Sequence, residues 1–186
     1  MRSIIVGITG GSGSGKTTLA KKLVEYLGPD IVTRVPLDNY FFPNASTNNA
    51  PEAVDFSKVH VQLDALLRGE EVVTTRGNLL TPNEIYIVEG HLVMCDPDLV
   101  QRLDLSIYVD LDPEERLLRR IQRNVGFGME LQGIIDWFRK DVKHNFKRHV
   151  EPQKELCDLI VWGEITERRV EILAELILRI KEIGRE

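Results

Sequence analysis

Residues 3–20 read SIIVGITGGSGSGKTTLA, and this stretch decides the fold class. Residues 3–8 are mostly β-branched and end in glycines, which predicts a short buried strand. Residues 15–27 contain good helix formers, with a leucine at every fourth position from residue 19, which predicts a helix. A strand that passes through a glycine-rich turn directly into a helix is the first unit of an α/β fold.

The same alternation continues along the chain. Short apolar runs predict further strands at residues 31–37, 84–88, 105–109 and 159–162. Apolar residues at helical spacing predict helices at residues 57–68, 112–124, 130–149 and 166–183. Strands separated by helices form a parallel sheet covered on both faces, and right-handed crossovers restrict the topology to a doubly wound sheet. We therefore expect one domain, residues 1–186, with about five parallel strands and with ligands bound at their carboxyl ends.

The composition disfavours several classes of protein. The chain has 186 residues, a net charge of −5 and 42% hydrophobic residues. These values suit a compact domain and disfavour nucleic acid or an anionic membrane as a partner. The apolar runs are too short to span a bilayer, and the N-terminus lacks the pattern of a secretory signal. Cys95 and Cys157 lie far apart without metal-type spacing, so we expect reduced thiols in a cytoplasmic protein.

The glycine-rich turn matches the pattern G-x-x-x-x-G-K-[ST] through Gly10, Gly15, Lys16 and Thr17. In this pattern the glycines let the backbone approach phosphate groups, and the N–H groups at the start of the next helix bind them. The lysine reaches the β- and γ-phosphates, and the hydroxyl holds Mg²⁺. The turn predicts a P-loop NTPase-type fold in which ATP and Mg²⁺ are bound by Gly11, Ser12, Gly13, Ser14, Gly15, Lys16, Thr17 and Thr18.

Two acids follow predicted strands, where they would lie beside this phosphate cradle. Asp38, in PLDNYF, is predicted to accept a proton from an attacking hydroxyl or to bind Mg²⁺, and an acid that caps a turn is the alternative. Glu89, in IYIVEG, is predicted to order a magnesium-bound water, with an ordinary surface glutamate as the alternative. Tyr40 belongs to an aromatic cluster, residues 40–42, that either packs in the core or stacks on a planar base.

Four arginines lie on the predicted helix 112–124, at positions 116, 119, 120 and 123. Their spacing puts most of them on one face, where guanidinium groups suit phosphate binding. A solvated face paired with nearby glutamates is the alternative, and we favour function because the helix lies above the cradle. The glycines of VGFGM, residues 125–129, predict a hinged lid at about 120–132. A second basic set is interpreted as a solvated face of the next helix: Lys140, Lys143, Lys147 and Arg148.

Together these segments resemble the uridine kinase and phosphoribulokinase family of P-loop kinases, and the similarity covers nearly the whole chain. It is carried by GITGGSGSGKTTLA, PLDNYF, APEAVDF, IVEGHLV, IYVDLDPEERLLRRIQRN and VKHNFKRHVEP. The resemblance implies transfer of the γ-phosphoryl group of ATP to a hydroxyl of a small sugar-containing acceptor. It implies that Arg120 faces the acceptor and Arg123 the phosphates, which gives a catalytic set of Lys16, Asp38, Arg120 and Arg123. The metal set would be Thr17, Glu89 and Asp38.

The segments that recognise the acceptor depart from uridine kinases. Residues 70–83 are shorter than the family's base-binding hairpin, and Asn49 stands where the family has a ribose-binding aspartate. NVGFGME lacks two lid arginines, and Trp137 replaces a glutamine that contacts the base. Loss of such polar groups is expected to change the substrate.

A nucleoside-like acceptor, as in uridine and cytidine kinases, is the leading interpretation. The residues expected to bind it are Asp38, Tyr40, Arg120 and Trp137, with Tyr40 and Trp137 stacking on its ring. The alternatives are a kinase for another ribosyl or sugar compound, such as nicotinamide riboside, and a nucleotide-binding regulator with little transfer activity. Uridine kinases are often oligomeric, so a homo-oligomer stays open here as well.

Overall fold

A five-stranded parallel sheet forms the centre of the structure, a computed structural model that describes residues 3–184. The strands are β1 (Ile4–Thr9), β2 (Val32–Pro36), β3 (Val72–Val73), β4 (Leu79–Leu80), β5 (Ile85–Glu89), β6 (Leu105–Asp110) and β7 (Leu159–Trp162). The order in the sheet is β2-β5-β1-β6-β7, and every neighbouring pair is parallel. This confirms the predicted α/β class and the five strands, while β3 and β4 form a separate antiparallel pair.

Helices cover both faces of this sheet. On one face α1 (Lys16–Leu27) packs beside α7 (Glu167–Ile183), and on the other face lies α2 (Phe56–Leu67). In β5, the side chains of Ile85 and Ile87 pack in the hydrophobic core on the α1 and α7 face, whereas those of Tyr86 and Val88 pack in the core on the α2 face. Successive side chains of a strand alternate between faces, so a strand buried on both sides must be apolar throughout.

One further helix follows β5 and another follows β6. The one-turn helix α3 (Pro97–Gln101) was not predicted, because five residues are too few to show a helical period. The longer helix α4 (Pro113–Gly126) begins as predicted from the sequence around Asp112, whose side chain accepts from the backbone N–H groups of Glu114 and Glu115. This cap satisfies two N–H groups that have no partner inside the helix.

Residues 131–150 form one composite helix, close to the predicted range 130–149, but its turns are not all α-helical. The segment α5 (Leu131–Trp137) continues into π-helical turns (Phe138–Val142), then α6 (Lys143–Asn145), then further π-helical turns (Phe146–Val150). In an α-helix, side chains four residues apart diverge by about 40° around the axis, since each residue turns by about 100°. A π turn contains more residues than an α turn, so the divergence is smaller here. The side chains that share one face of the composite helix are Phe138, Val142, Phe146 and Val150.

Cys95 and Cys157 are free thiols, and burial raises the pKa of each to about 11. Both thiols therefore stay protonated near neutral pH. Within residues 3–184, no helix has the length and apolar character that crossing a bilayer would require.

Candidate functional site

The phosphate cradle lies between the end of β1 and the start of α1, and its shape depends on glycine. Gly10, Gly13 and Gly15 have φ angles of 141°, 86° and 102°. A Cβ atom on Gly13 would lie 2.7 Å from the backbone oxygen of Arg116, so the loop packs directly against α4. Gly15 is the N-cap of α1 and supplies no side-chain cap, and the first turn holds no acid. The first N–H groups of α1 and its positive end are therefore available to an anion.

Thr17, Glu89 and Arg34 meet beside this cradle. Thr17 Oγ1 donates to Glu89 Oε2 over 2.9 Å, and Arg34 Nη1 donates to Glu89 Oε1 over 2.7 Å. Glu89 is buried and ion-paired, so the surface-glutamate alternative does not hold. Arg34 was missed by sequence reasoning. The signal that could have found it is a charged residue between the buried positions of strand β2, because a charge in such a place needs a partner.

Lys16 lies among the charged groups that the sequence singled out. Burial lowers the pKa of Lys16, the carboxylates of Glu89 and Asp38 oppose that change, and the guanidinium groups of Arg123 and Arg120 reinforce it. The ammonium group thus interacts with two carboxylates and two guanidinium groups at once. Asp38 stands in the 3-10 turn directly after β2 and is exposed, so its carboxylate is open to a ligand.

The oxygen atoms around the cradle suit Mg²⁺. This ion prefers oxygen ligands, keeps several waters, and is usually held by one or two carboxylates together with substrate phosphates. The adjacent oxygens of Thr17 and Glu89, with Asp38 near Lys16, make such a sparse set. Among residues 3–184 there is no cluster of three or more histidine, cysteine, aspartate or glutamate side chains that could enclose a metal.

Arg120 and Arg123 both reach the site from α4. Arg123 Nη2 donates to Ser12 Oγ of the cradle over 3.3 Å. Arg120 is only 3% exposed, and its guanidinium carbon lies 4.2 Å from the centre of the Trp137 ring. Burial and the nearby Arg123 charge lower the pKa of Arg120 to about 10, while Asp141 acts in the opposite sense. Arg120 is therefore still a cation at neutral pH.

The other two arginines of α4 have different surroundings. The Arg116 guanidinium lies over the Phe146 ring at 4.2 Å, and its Nε donates to a backbone oxygen of the preceding loop over 3.1 Å. Arg119 instead forms ion pairs with Glu115, at 2.8 Å, and with Glu164. Only Arg119 therefore fits the alternative of a solvated, glutamate-paired face.

The buried polar side-chain atoms that lack a hydrogen-bond partner are concentrated at this site. Within residues 3–184 they are Ser14 Oγ, Arg120 Nε and Asn124 Nδ2, one from the cradle and two from α4. Buried polar groups in folded proteins nearly always have a partner. Their concentration around the cradle is what a binding site for a polar ligand requires.

A cavity of about 210 Å³ opens beside the cradle, between α4 and the composite helix. Ser12, Asn49 and His91 lie on its lining, and Phe138 and Val142 belong to its apolar wall. It adjoins both the phosphate cradle and the residue that aligns with the family's ribose-binding position. The cavity is therefore the candidate acceptor site.

Asp141 connects the parts of the chain that surround this cavity. Its carboxylate accepts hydrogen bonds from Thr47 Oγ1 at 2.8 Å, Asn49 Nδ2 at 2.6 Å, Trp137 Nε1 at 3.0 Å and Asn145 Nδ2 at 2.6 Å. Burial by itself raises the pKa of Asp141, but these four hydrogen bonds outweigh burial and hold the pKa below its usual value. Sequence reasoning missed Asp141, because its partners on the 47–49 loop are far away in the chain.

Three of the four predicted acceptor contacts, Asp38, Tyr40 and Trp137, are not on the cavity lining, although Asp38 lies close enough to the lining residue His91 to influence its pKa. Tyr40 is 1% exposed, and its hydroxyl donates to Gln62 Oε1 over 2.7 Å, so the stacking prediction is wrong and the core alternative holds. The reason is that the 3-10 turn Leu37–Tyr40 directs its last side chain towards α2. Trp137 does not line the cavity either, because its ring packs against Arg120 and supports that guanidinium.

His91 lines the cavity and was also missed. Its Nε2 lies 2.8 Å from the backbone oxygen of Asn48, and a carbonyl only accepts, so this nitrogen carries the proton. Burial and the Lys16 charge lower the pKa of His91 to about 4, against the opposing effect of Asp38. His91 is therefore neutral at physiological pH.

Several known proteins are similar to this chain in sequence or in fold. The family model described as the Phosphoribulokinase / Uridine kinase family matches residues 5–168. A uridine kinase of Halobacterium salinarum is 32% identical, covering 94% of this chain and 87% of that protein. A uridine kinase of Ligilactobacillus salivarius is 34% identical, covering 86% and 85%. A candidate fructose transport system kinase from Silicibacter sp. TM1040 has a similar fold, with a TM-score of 0.69 at 23% identity over 86% of this chain and 90% of that one. With the cradle and the parallel sheet in place, these matches show that the chain belongs to the phosphoribulokinase / uridine kinase family, a family of phosphotransferases with a hydroxyl acceptor.

Proposed function

We propose that this chain transfers the γ-phosphoryl group of ATP to a hydroxyl of a nucleoside-like small molecule. The observation that carries the proposal is the phosphate cradle, which leaves the first N–H groups of α1 free, lies beside the Thr17–Glu89 hydrogen bond and is contacted by Arg123 at Ser12. Phosphoryl transfer needs phosphate binding, an oxygen site for Mg²⁺, a residue that orients the nucleophile, and cations that stabilise the transferring group. The relatives named uridine kinases support a nucleoside-like acceptor.

The proposed mechanism assigns each step to a residue. The N–H groups of the cradle and Lys16 hold the phosphates of ATP. Asp38 accepts the proton of the acceptor hydroxyl as the hydroxyl oxygen bonds to the γ-phosphorus, and the bond from that phosphorus to the bridging oxygen breaks to release ADP. Lys16, Arg120 and Arg123 stabilise the negative charge on the transferring group.

Thr17, Glu89 and Asp38 are the residues that would hold Mg²⁺. When bound, this ion neutralises charge on the phosphate oxygens. Arg34 fixes one oxygen of Glu89, which leaves the other facing Thr17. The ion pair therefore orients the carboxylate towards the cradle.

Residues of about 120–132 are proposed to act as a lid. α4 ends at Gly126, and Gly128 has a φ of 84° with no atom within 4 Å of an added Cβ. Phe127 between them is 77% exposed. A turn with so few contacts can move at low cost, and closure over the acceptor would exclude water from the reaction.

The test is a screen of nucleosides, ribosyl vitamins and sugar phosphates, with ADP formation as the readout. Lys16→Ala and Asp38→Asn should each abolish transfer, and Asp38→Asn should leave ATP binding largely intact. Asp30→Asn, an exposed acid just before the amino end of β2, is the matched control and should be fully active. Full activity of Asp38→Asn would contradict the proton-acceptor role. Binding of ATP without turnover on any acceptor would favour the nucleotide-binding regulator instead.

A further inference from the structure

The cavity beside the cradle carries an excess of positive charge. Its lining includes Arg116, Arg120, Lys143 and Lys147, and the carboxylate on the lining is that of Glu151. We propose that the acceptor bears an anionic group, a carboxylate or a phosphate, in addition to the hydroxyl that is phosphorylated. This inference rests on the proposed kinase function and narrows the class of its acceptor.

The first argument is that these cations are not neutralised within the protein. The side chains of Lys143 and Lys147 form no hydrogen bond or ion pair with any of residues 3–184, and Arg120 forms no ion pair there. Asp141 lies close enough to influence Arg120, but its carboxylate is occupied by four neutral donors. Arg34, in contrast, is paired with the buried carboxylate of Glu89. Arg120 is a buried cation without an acidic partner, which is costly, and Lys143 and Lys147 are exposed but unpaired on the same lining, so the set points to an anionic ligand.

The second argument is that ATP does not account for all of this charge. Lys16 and Arg123 already serve the cradle, and Arg123 contacts Ser12 there. Lys143 and Lys147 instead lie one turn apart on the composite helix, which forms the other wall of the cavity. Both lysines were interpreted as a solvated face from the sequence. Both are exposed, in agreement with that interpretation, and both also lie on the cavity lining.

The third argument concerns what a neutral base would find in this cavity. Apart from the cations, the walls are mainly apolar, and the neutral polar side chains on the lining are Ser12, Asn49 and His91. A base edge presents both donors and acceptors, whereas lysine and arginine only donate. A base bound here could donate to Glu151 and the three neutral side chains, but its few acceptors would leave most of the cationic donors of the cavity unpaired. An oxyanion, in contrast, accepts from several of these groups at once.

Matched acceptor pairs test the proposal, because each pair differs only in the anionic group. Three such pairs are uridine with orotidine, nicotinamide riboside with nicotinic acid riboside, and ribulose with ribulose 5-phosphate. The first two pairs test a carboxylate and the third tests a phosphate. We expect kcat/KM, from ADP formation, to be at least about tenfold higher for the anionic member of the pair that is accepted.

The Lys143→Gln/Lys147→Gln double variant should raise the KM for the anionic acceptor and remove most of this preference, with the KM for ATP unchanged. Lys140→Gln/Arg148→Gln, which removes the same charge from exposed positions of the same helix outside the cavity lining, should keep the preference. This control separates a local contact from the general field of the helix.

The possible outcomes distinguish a failure of the anionic-acceptor proposal from a failure of the proposed kinase function. Equal or better use of the neutral member in every accepted pair, or an undiminished preference in Lys143→Gln/Lys147→Gln, would overturn the anionic acceptor while leaving the kinase intact. Absence of turnover on all six compounds would count against the kinase. In that case calorimetry with the same pairs and a non-hydrolysable ATP analogue tests whether the site prefers an anionic ligand. Equal or undetectable binding of both members of every pair would overturn the proposal of an anionic acceptor.

Discussion

Replacing Asp141 with asparagine tests whether this carboxylate holds the acceptor cavity together. Three donors, from Thr47, Asn49 and Trp137, converge on Oδ2, and Asn145 donates to Oδ1. An amide of the same shape offers one accepting oxygen, and its NH₂ group would face a donor. The substitution therefore converts charge-assisted hydrogen bonds into neutral ones and breaks at least one of them.

The size of the effect follows from these contacts. A hydrogen bond to a charged group contributes about 1.5–3 kcal/mol and a neutral one about 0.5–1.5 kcal/mol, so four bonds would lose about 1 kcal/mol each. Asp141 is only partly buried, and screening by solvent reduces the sum to about 2 kcal/mol of unfolding free energy. In a chain of this length that loss lowers Tm by about 4–8 °C.

Thermal unfolding and steady-state kinetics measure the consequences. Because Asp141 orients Asn49 and the Trp137 ring that supports Arg120, the KM for the acceptor should rise several-fold while the KM for ATP changes little. Asp136→Asn is the matched control, since Asp136 accepts a single hydrogen bond, from Gln132 at 3.2 Å. Its loss should cost no more than about 0.5 kcal/mol. Equal Tm values for the two variants, or a parallel rise of both KM values, would refute this reasoning.

Three further predictions concern the site. His91→Gln should flatten the pH dependence of stability between pH 4 and 6.5, as measured by thermal melts. The pKa of His91 is depressed to about 4 from an ordinary 6.5, so its contribution to stability is fully present above pH 6.5 and is lost as the pH falls towards 4. The loss amounts to up to about 3 kcal/mol. Arg34→Gln should lower the unfolding free energy by about 1–3 kcal/mol in urea titrations, because it leaves buried Glu89 without its ion pair, and adding Glu89→Gln should restore part of that loss. Gly13→Ala should abolish ATP binding in calorimetry, because residue 13 has a φ of 86° and the added Cβ atom would collide with the backbone of Arg116. Gly126→Ala is the control, because a Cβ atom at this position of α4 meets open space. It should bind ATP normally and gain up to about 1 kcal/mol of stability.

Each of these has an outcome that contradicts it. A wild-type pH profile in His91→Gln would assign that dependence to another group. A double variant no more stable than Arg34→Gln would show that the unpaired carboxylate is not the source of the loss. Normal ATP binding by Gly13→Ala would mean that the cradle relaxes around the added methyl group.

The local part of the site is readable from the sequence alone. The cradle is one contiguous segment in which glycine, lysine and threonine occur at the spacing that phosphate binding needs, and it is followed at once by a helix. Asp38 and Glu89 could be placed because each directly follows a predicted strand, and the carboxyl ends of parallel strands share one edge of the sheet. Short-range pattern is enough wherever the chemistry lies within a few residues.

The acceptor side was decided by tertiary structure. Asn49 and Asp141 are 92 residues apart, and the bond between them exists only because the composite helix packs against the 47–49 loop. Tyr40 and Arg119 have residue types that suit a site, yet the packing of α2 buries one and Glu164 pairs with the other. The sequence thus determined the fold class, the phosphate cradle and the strand-end acids, all encoded by neighbouring residues. Which cations face the acceptor was left to long-range packing, since the sequence places Lys143 and Lys147 in solvent, where they are, but only the packing of the composite helix beside α4 makes them part of the cavity lining.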